Sequence, residues 1–241
     1  MRAEVHVARL HPGPTGGSVN AMAQTTHHAR RRTDNAPARN RHACAFFASS
    51  EDQYGALLAL TSGGMARGER TVHVTPRRRS DHEARLREAR IDVDGATSRH
   101  QFELLESEQA YRNEGQFDQN RMLSLIASLL GVGDMLAYPL TRIIANMEPS
   151  TRDVTESEDF VEYEARLNFL LPHHRDEVIC TYDLSKISAT MAIDVLRAHP
   201  MVAVGQTLHE NPFFVRPAAL LRAADRRRAA NARMMEALLS I

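Results

Sequence analysis

Short apolar runs alternate with amphipathic helical segments from His42 onward, and this alternation is typical of an α/β fold. The first run, 43–48, is continuously apolar, as a strand buried on both faces would be. Ser49 and Ser50 follow it with two acids behind them, which predicts the N-terminus of a helix. We therefore expect a mainly parallel sheet in three layers, flanked by helices on both faces.

The same criteria place the remaining elements. Further strands are predicted at 71–75, 91–93, 102–105, 141–147, 177–182 and 201–204. Helices are predicted from 50 to the Gly63-Gly64 pair, which would end or weaken the first one, and then at 80–90, 118–130, 156–170, 185–197 and 217–239. Within the fifth of these, Ser185 is the expected cap.

Residues 1–41 differ in composition from the rest of the chain. They contain seven arginines against two acids, two prolines close together and a glycine pair, and no apolar period. This predicts a disordered basic arm at 1–41, followed by one domain at 42–241. Two interpretations of the arm stay open: contact with nucleic acid, and a start-site artefact, because Met22 offers a later start.

Composition excludes several classes of protein. The 241 residues carry no net charge, so no global field attracts the chain to nucleic acid or acidic lipid. No apolar run approaches the ~20 residues that cross a bilayer, and no secretory signal opens the sequence. The only cysteines, Cys44 and Cys180, are too few for a disulfide scaffold. A reducing cytoplasm is the expected compartment, with no membrane partner.

Six segments between residues 42 and 221, in the same order, resemble the MEDS domains, the methanogen/methylotroph sensory domains. They are His42–Phe47 with the Ser-Ser-Glu after it, Gly64–Glu69, Tyr111–Asp118, Tyr163–Asn168, Cys180–Asp183, and His199-Pro200 before the last strand. The resemblance implies a RecA/KaiC-like sensory module that responds to simple hydrocarbon derivatives, in regulators of one-carbon metabolism and in signalling kinases. Regulators of this family carry a helix-turn-helix segment, which residues 1–41 lack, so a signalling partner protein is expected.

A nucleotide-binding P-loop is missing from the position where such a fold would carry it. The loop needs G-x-x-x-x-G-K-[ST] after the first strand, so that backbone N–H groups and a lysine hold the phosphates. This chain has Ala-Ser-Ser-Glu-Asp-Gln there, and Lys186, its only lysine, is predicted on a different helix. With no catalytic triad either, we expect a non-catalytic module.

Ligand capture is the chemistry that remains, because parallel sheets bind small molecules beyond the carboxyl ends of their strands. The candidates at strand ends are Ser49, Ser50, Glu51, Glu148, Tyr182 and Asp183, and those that could add walls are Tyr111, Arg142, Tyr163 and Glu164. Each also has a structural interpretation: Tyr163 as core, Glu164 as solvated helix surface, Asp183 as a helix cap.

The expected function is therefore a sensory or regulatory module. It would bind a small organic ligand and signal through a kinase or a transcription or sigma-factor regulator. Two alternatives are a ligand-free protein-interaction module and a nucleic-acid-binding regulator. The second would use three arginine triplets, at 30–32, 77–79 and 226–228.

Metal and cofactor chemistry has weaker support. His42 and Cys44 share one face of the first strand and could coordinate zinc or copper, with Cys180 converging from another strand. The alternative is two buried cysteines acting as small hydrophobes, with His42 at the edge of the strand. Cys180 with His199 lacks an orienting acid and an oxyanion hole for nucleophilic catalysis. We expect no metal and no cofactor.

Overall fold

The computed structural model describes residues 41–107, 110, 112–113, 116–147, 154–205 and 207–240. All of the predicted arm except Arg41 lies outside these residues, as do two ligand candidates, Tyr111 and Glu148.

The described chain contains one large, mostly parallel sheet. Its strands are β1 (His42–Phe47), β2 (Arg70–Thr75), β3 (Phe102–Glu106), β6 (Thr141–Asn146), β7 (Glu177–Asp183), β8 (Met201–Val204) and β9 (Thr207–Glu210). They lie in the order β3-β2-β6-β7-β1-β8-β9, and all neighbours are parallel except β8 and β9. Two short strands, β4 (Arg112–Asn113) and β5 (Gln116–Phe117), pair separately. The predicted fold class is confirmed.

Helices cover both faces of this sheet. They are α1 (Ser50–Ala66), α2 (Arg79–Glu88), α3 (Val93–Ser98), α4 (Gln119–Met135), α5 (Val154–Leu170), α6 (Ala189–Ala198) and α7 (Pro217–Leu239). Strand alternation sends neighbouring residues to opposite cores, as Ile143 and Ile144 show. Ile143 packs in the core of α4, α5 and α6, and Ile144 in the core of α1, α2 and α3.

Two predicted helix starts are confirmed by their caps. The Ser49 side chain accepts a hydrogen bond from the backbone N–H of Asp52, and the Asp118 carboxylate accepts two at the start of α4. These bonds satisfy N–H groups that the first helical turn leaves without partners. The cap of α6 is Ser188, however, so the prediction of Ser185 was wrong, and Ser185 instead donates a hydrogen bond to Asp183.

Two other predictions were wrong. The segment 91–93 forms no strand, because Asp92 caps α3 and accepts a hydrogen bond from Gly95. The pair Gly63-Gly64 does not end α1, which continues to Ala66. At Gly64 a Cβ would lie 2.7 Å from Arg142 Nη1, so this glycine lets the helix pack closely on the sheet. The antiparallel edge strand β9 was not foreseen.

The C-terminal helix α7 makes its apolar contacts with the core near its start. Leu220 is buried against Ala165 and Ala198. Towards its other end the apolar side chains are largely exposed, namely Met234, Met235, Leu238 and Leu239. No helix of the described residues is both long enough and apolar enough to cross a membrane.

A hydrogen-bonded chain of buried side chains joins α1, β2 and α2. The Thr61 hydroxyl donates to the Leu57 carbonyl oxygen and lies 2.8 Å from His73 Nε2, from which it can therefore accept. His73 Nδ1 lies 2.8 Å from His82 Nε2, and His82 Nδ1 lies 3.0 Å from the Tyr54 hydroxyl. Each imidazole then donates once and accepts once, which is the pattern of two neutral histidines.

Burial first, and then the positive charges of Arg77, Arg85 and Arg79, lower the pKa of His82 to about 4. Burial, with a further contribution from His82, lowers the pKa of His73 well below its ordinary value. Both groups resist protonation in the native state, whereas an unfolded histidine takes up a proton near pH ~6.5.

This difference predicts acid destabilisation. The stabilising effect of a neutral His82 is fully present above pH ~6.5 and is lost as the pH falls towards ~4, in total on the order of 3 kcal/mol. We expect the His82→Gln variant to lose less unfolding free energy than wild type between about pH 7.5 and about pH 5, measured by urea denaturation. The control is His209→Gln at an exposed position. An equal loss in wild type and His82→Gln would contradict this account.

Candidate functional site

A cavity of about 280 Å³, which we name the edge cavity, lies at the carboxyl ends of β2, β6 and β7, beside the start of α1. This volume is close to the lower end of the usual range for ligand pockets, roughly 300 Å³. Its lining residues are Ser50, Gln53, Tyr54, Leu57, Thr75, Pro76, Arg77, Asn146, Thr181 and Lys186.

Hydrogen bonds between amide and hydroxyl side chains order one wall of the edge cavity. The Asn146 amide donates to Gln53 Oε1 over 3.0 Å, and the Gln53 amide donates to the Thr181 hydroxyl over 2.7 Å. Thr181 in turn donates to the carbonyl oxygen of Ala145. These side chains are held in place before any ligand arrives, so they would lose little freedom on binding one.

Two of the predicted ligand residues, Ser50 and Asp183, meet beside the edge cavity, and of these two Ser50 belongs to its lining. The Ser50 hydroxyl donates to Asp183 Oδ2 over 2.7 Å and accepts from Lys186 Nζ over 3.0 Å. Lys186 lies in the turn after β7 and not on a helix, so the prediction that it stays away from this position was wrong. Its ammonium group lies 3.6 Å from Asp183, which offsets its charge.

The remaining candidates at this edge have structural partners. Ser49 caps α1 and donates to the carboxylate of Asp52, and Glu51 forms an ion pair with Arg85. The hydrogen bond from Arg85 is the main cause of a lowered pKa at Glu51. Both residues lie beside the edge cavity without being part of its lining.

Three of the predicted ligand residues, Tyr163, Glu164 and Tyr182, lie away from the edge cavity in the core under α5. The even-numbered residues of β7, Tyr182 among them, point to that face. The Tyr182 hydroxyl donates a hydrogen bond to Glu164 Oε1 over 2.8 Å. Tyr163 packs on Phe117 with ring centroids 5.7 Å apart, as the core interpretation has it. Glu164 is fully buried, so its interpretation as helix surface was wrong.

Glu164 belongs to a group of four potential metal ligands, which we name the buried cluster: His42, Glu164, Cys180 and His199. Glu164 Oε2 lies 2.9 Å from His42 Nε2 and 3.3 Å from His199 Nε2. Cys180 Sγ lies 3.6 Å from His42 Nε2 and 3.7 Å from Glu164 Oε2. All four ligand atoms lie within 4.8 Å of one another.

The outer nitrogen of each imidazole is held by a hydrogen-bond acceptor. His42 Nδ1 lies 3.2 Å from Asn168 Oδ1, and the Asn168 amide nitrogen donates to two backbone carbonyls, which fixes its orientation. His199 Nδ1 lies 2.7 Å from the Val195 carbonyl oxygen. Both Nδ1 atoms therefore carry the proton, and both Nε2 atoms face Glu164 and Cys180.

Burial has the largest effect on the pKa values of His42 and Cys180 within the cluster. Burial, and then the charge of His199, lowers the pKa of His42. Burial raises the pKa of the Cys180 thiol well above its ordinary value, and the adjacent Glu164 raises it further. Without a cation, Cys180 is a neutral thiol and His42 a neutral imidazole.

The sequence grouped these residues differently: Cys180 was considered with His42 and Cys44 as a metal ligand, and with His199 for nucleophilic catalysis. It paired His42 with Cys44, but the Cys44 thiol donates to the carbonyl oxygen of Met201 and stays outside the cluster. Burial, and then Glu164, raises the pKa of Cys44 to about 12. One signal was present: Glu164 and Asn168, four residues apart, share a face of α5 and both serve the cluster.

The placement of Arg142 in a ligand site was also wrong. It is the second residue of β6, at the opposite edge of the sheet from the strand ends that form the edge cavity. Its guanidinium lies 2.6 Å from Glu69 and 2.7 Å from Glu177, and all three side chains are largely buried. Arg142 therefore joins β6 to β7 and to the turn between α1 and β2 through charge pairing.

Arginines from the two described triplets have partners within the protein. The Arg77 guanidinium lies 5.1 Å from the centre of the Tyr54 ring, and Arg79 pairs with Glu83. Arg228 pairs with Glu162 and Asp225. The remaining triplet, 30–32, lies outside the described residues.

Comparisons with known proteins agree with this fold. The model of the MEDS family, described as the methanogen/methylotroph, DcmR sensory domain, matches residues 41–200. A KaiC-like protein from the hyperthermophilic archaeon Pyrococcus horikoshii is similar in structure, with a TM-score of 0.51 and 14% sequence identity over 68% of this chain and 69% of that one. At this identity the likeness shows the fold alone. No curated protein matches the chain significantly.

A structural role for Arg142 predicts a loss of stability on substitution. The Arg142→Met variant would leave Glu69 and Glu177 buried with only Arg67 and Arg41 as cations, and we expect it to lose about 3 kcal/mol of unfolding free energy. The control is Arg99→Met, at an exposed arginine whose nearest acid, Asp92, is 3.8 Å away. Equal stability of the two variants in urea denaturation would rule this role out.

Proposed function

Because this chain belongs to the family of MEDS domains, the methanogen/methylotroph sensory domains, we propose that it senses a small organic molecule. The ligand would bind in the edge cavity, and a partner protein would receive the signal. The observation that carries this proposal is the edge cavity itself, which lies where open parallel sheets bind ligands.

The lining indicates the chemistry of the ligand. Gln53, Asn146 and Thr181 offer hydrogen-bonding groups, whereas Tyr54 and Leu57 offer apolar surface. A molecule with one polar group and a short hydrocarbon part satisfies both. The volume of about 280 Å³ restricts the ligand to a small compound.

We propose further that the domain does not hydrolyse nucleotides. Glu51 and Asp52 lie in the first turn of α1, where a P-loop would present N–H groups to a phosphate. Lys186 reaches this region, but Asp183 and Ser50 already bind its ammonium group. A triphosphate would have to displace these contacts and approach two carboxylates.

The partner in this proposal is a signalling kinase or a transcription or sigma-factor regulator. The two described cysteines are both free and buried, which fits a reducing cytoplasm. A ligand can shift the state of such a domain only as far as it binds one state better than the other.

Ligand binding is tested by thermal unfolding against a panel of short-chain alcohols, amines, carboxylates and halocarbons. We expect at least one class to raise Tm in a concentration-dependent way, because ligands that bind only the native state stabilise it. The Gln53→Ala variant should lose this shift. Gln101→Ala should keep it, because Gln101 lines a separate cavity beside α3. If no compound stabilises the wild-type protein, a ligand-free interaction module becomes the better account.

The absence of hydrolysis is tested by incubating the protein with magnesium and ATP. We expect no more phosphate release than from heat-denatured protein, because the first turn of α1 carries two acids. Lys186→Met is the diagnostic variant, since Lys186 is the only lysine and lies beside the start of α1. Turnover that disappears in Lys186→Met would contradict the proposal.

A further inference from the structure

The buried cluster collects three kinds of metal-binding group from four separate parts of the fold. His42 comes from β1, Glu164 from α5, Cys180 from β7, and His199 from the connection between α6 and β8. All four side chains are fully buried. Polar groups withdrawn from water are costly unless each of them finds a partner, so this convergence needs an explanation.

The hydrogen bonds outside the cluster direct both imidazoles into it. Because Nδ1 of His42 and of His199 faces an acceptor, each ring turns its Nε2 atom towards the carboxylate of Glu164. Among the residues that the structure describes, His199 Nε2 has no hydrogen-bond partner, although Glu164 Oε2 lies 3.3 Å away. A cation held between the two Nε2 atoms and the carboxylate would make favourable contacts with all of them.

The separations within the cluster agree with the edges of a coordination tetrahedron. Zinc bonds of about 2.0–2.3 Å place neighbouring ligand atoms roughly 3.3–3.7 Å apart in tetrahedral geometry. Three of the contacts described above, at 3.3, 3.6 and 3.7 Å, fall in this range, and the fourth, between His42 and Glu164, is shorter at 2.9 Å. The remaining two pairs of ligand atoms lie within 4.8 Å, so a small shift of the side chains would place all four atoms around one ion.

From this geometry we infer that His42, Glu164, Cys180 and His199 bind one zinc ion. On binding, the Cys180 thiol releases its proton to solvent as the zinc–sulfur bond forms. A thiolate, a carboxylate and two neutral imidazoles then balance the two positive charges of the ion. A neutral complex suits a position that water does not reach.

The ligand set favours zinc over other divalent cations. Calcium and magnesium prefer six or more oxygen ligands, of which the cluster supplies few. A thiolate with imidazoles suits a borderline-soft ion, and four protein ligands in a closed tetrahedron are typical of structural zinc. The ion would join β1, β7, α5 and the α6–β8 connection.

The contacts around the ligands are of the kind that orient metal-binding side chains. Asn168 holds His42, the Val195 carbonyl oxygen holds His199, and the Tyr182 hydroxyl holds Glu164 Oε1. In metal sites such outer hydrogen bonds fix the tautomer of a histidine and the direction of a carboxylate. The inference rests on this cluster alone and does not depend on a ligand in the edge cavity.

Metal content of the full chain tests the site. The protein is prepared without a histidine tag, and its metals are measured by elemental analysis. We expect about one zinc per chain. Zinc is then removed under denaturing conditions and the chain is refolded with Co²⁺. Tetrahedral cobalt bound to a thiolate should give visible d–d bands and a sulfur-to-cobalt charge-transfer band, and zinc should abolish them.

Two cysteine variants form a matched pair, because both thiols are buried on the same face of neighbouring strands. Cys180→Ser should lose the charge-transfer band and most of the bound metal, whereas Cys44→Ser should keep both. Zinc, but not magnesium, should restore the Tm of the stripped wild-type chain.

Several results would overturn the inference. One is a wild-type chain that holds no metal as isolated and binds no cobalt on refolding. Others are copper in place of zinc, and a charge-transfer band that survives in Cys180→Ser. If Cys180→Ser does not fold, the cobalt spectrum of the wild-type chain still decides whether a thiolate binds the ion.

Discussion

The carboxylate of Glu164 is fully buried, and the polar side chains at the centre of the fold are arranged so that they compensate its charge. The Tyr182 hydroxyl binds one oxygen, and two imidazoles and a thiol surround the other. One turn further along α5, Asn168 holds His42 and caps the carbonyl of Ala198. Helix α5 thus carries the charged carboxylate and, through Asn168, also orients His42 beside it. These contacts fix the position of α5 against β1 and β7.

Local signals made most of the elements predictable. The caps Ser49 and Asp118 act on backbone within three residues, so the sequence alone was enough to place them. Prediction failed where a tertiary contact decided the outcome. Gly64 stays helical because Arg142 and Glu69 pack against it, and those contacts come from the sheet and the following turn. The segment 91–93 forms no strand because the side chain of its middle residue, Asp92, caps α3.

The candidate site was predicted only in part, because ligand geometry depends on which strands are neighbours. Ser50 and Asp183 were found because strand ends can be recognised in the sequence. Arg142 was misplaced because one end of a strand lies at each edge of the sheet, and composition does not tell them apart. Cys180 was considered with His42 and, separately, with His199, but the meeting of all three requires β7 and β8 to lie on either side of β1.

The strand β7 serves two chemistries through the alternation of its side chains. Cys180 and Tyr182 point towards α5, and Thr181 and Asp183 point towards the start of α1. Inserting or deleting one residue early in this strand would exchange the two sets of side chains between the faces of the sheet. Both the buried cluster and the edge cavity would then be disrupted. Evolution can therefore diversify this domain by point substitution along β7 or by changing the loops, but the length and phase of the strand must be inherited intact.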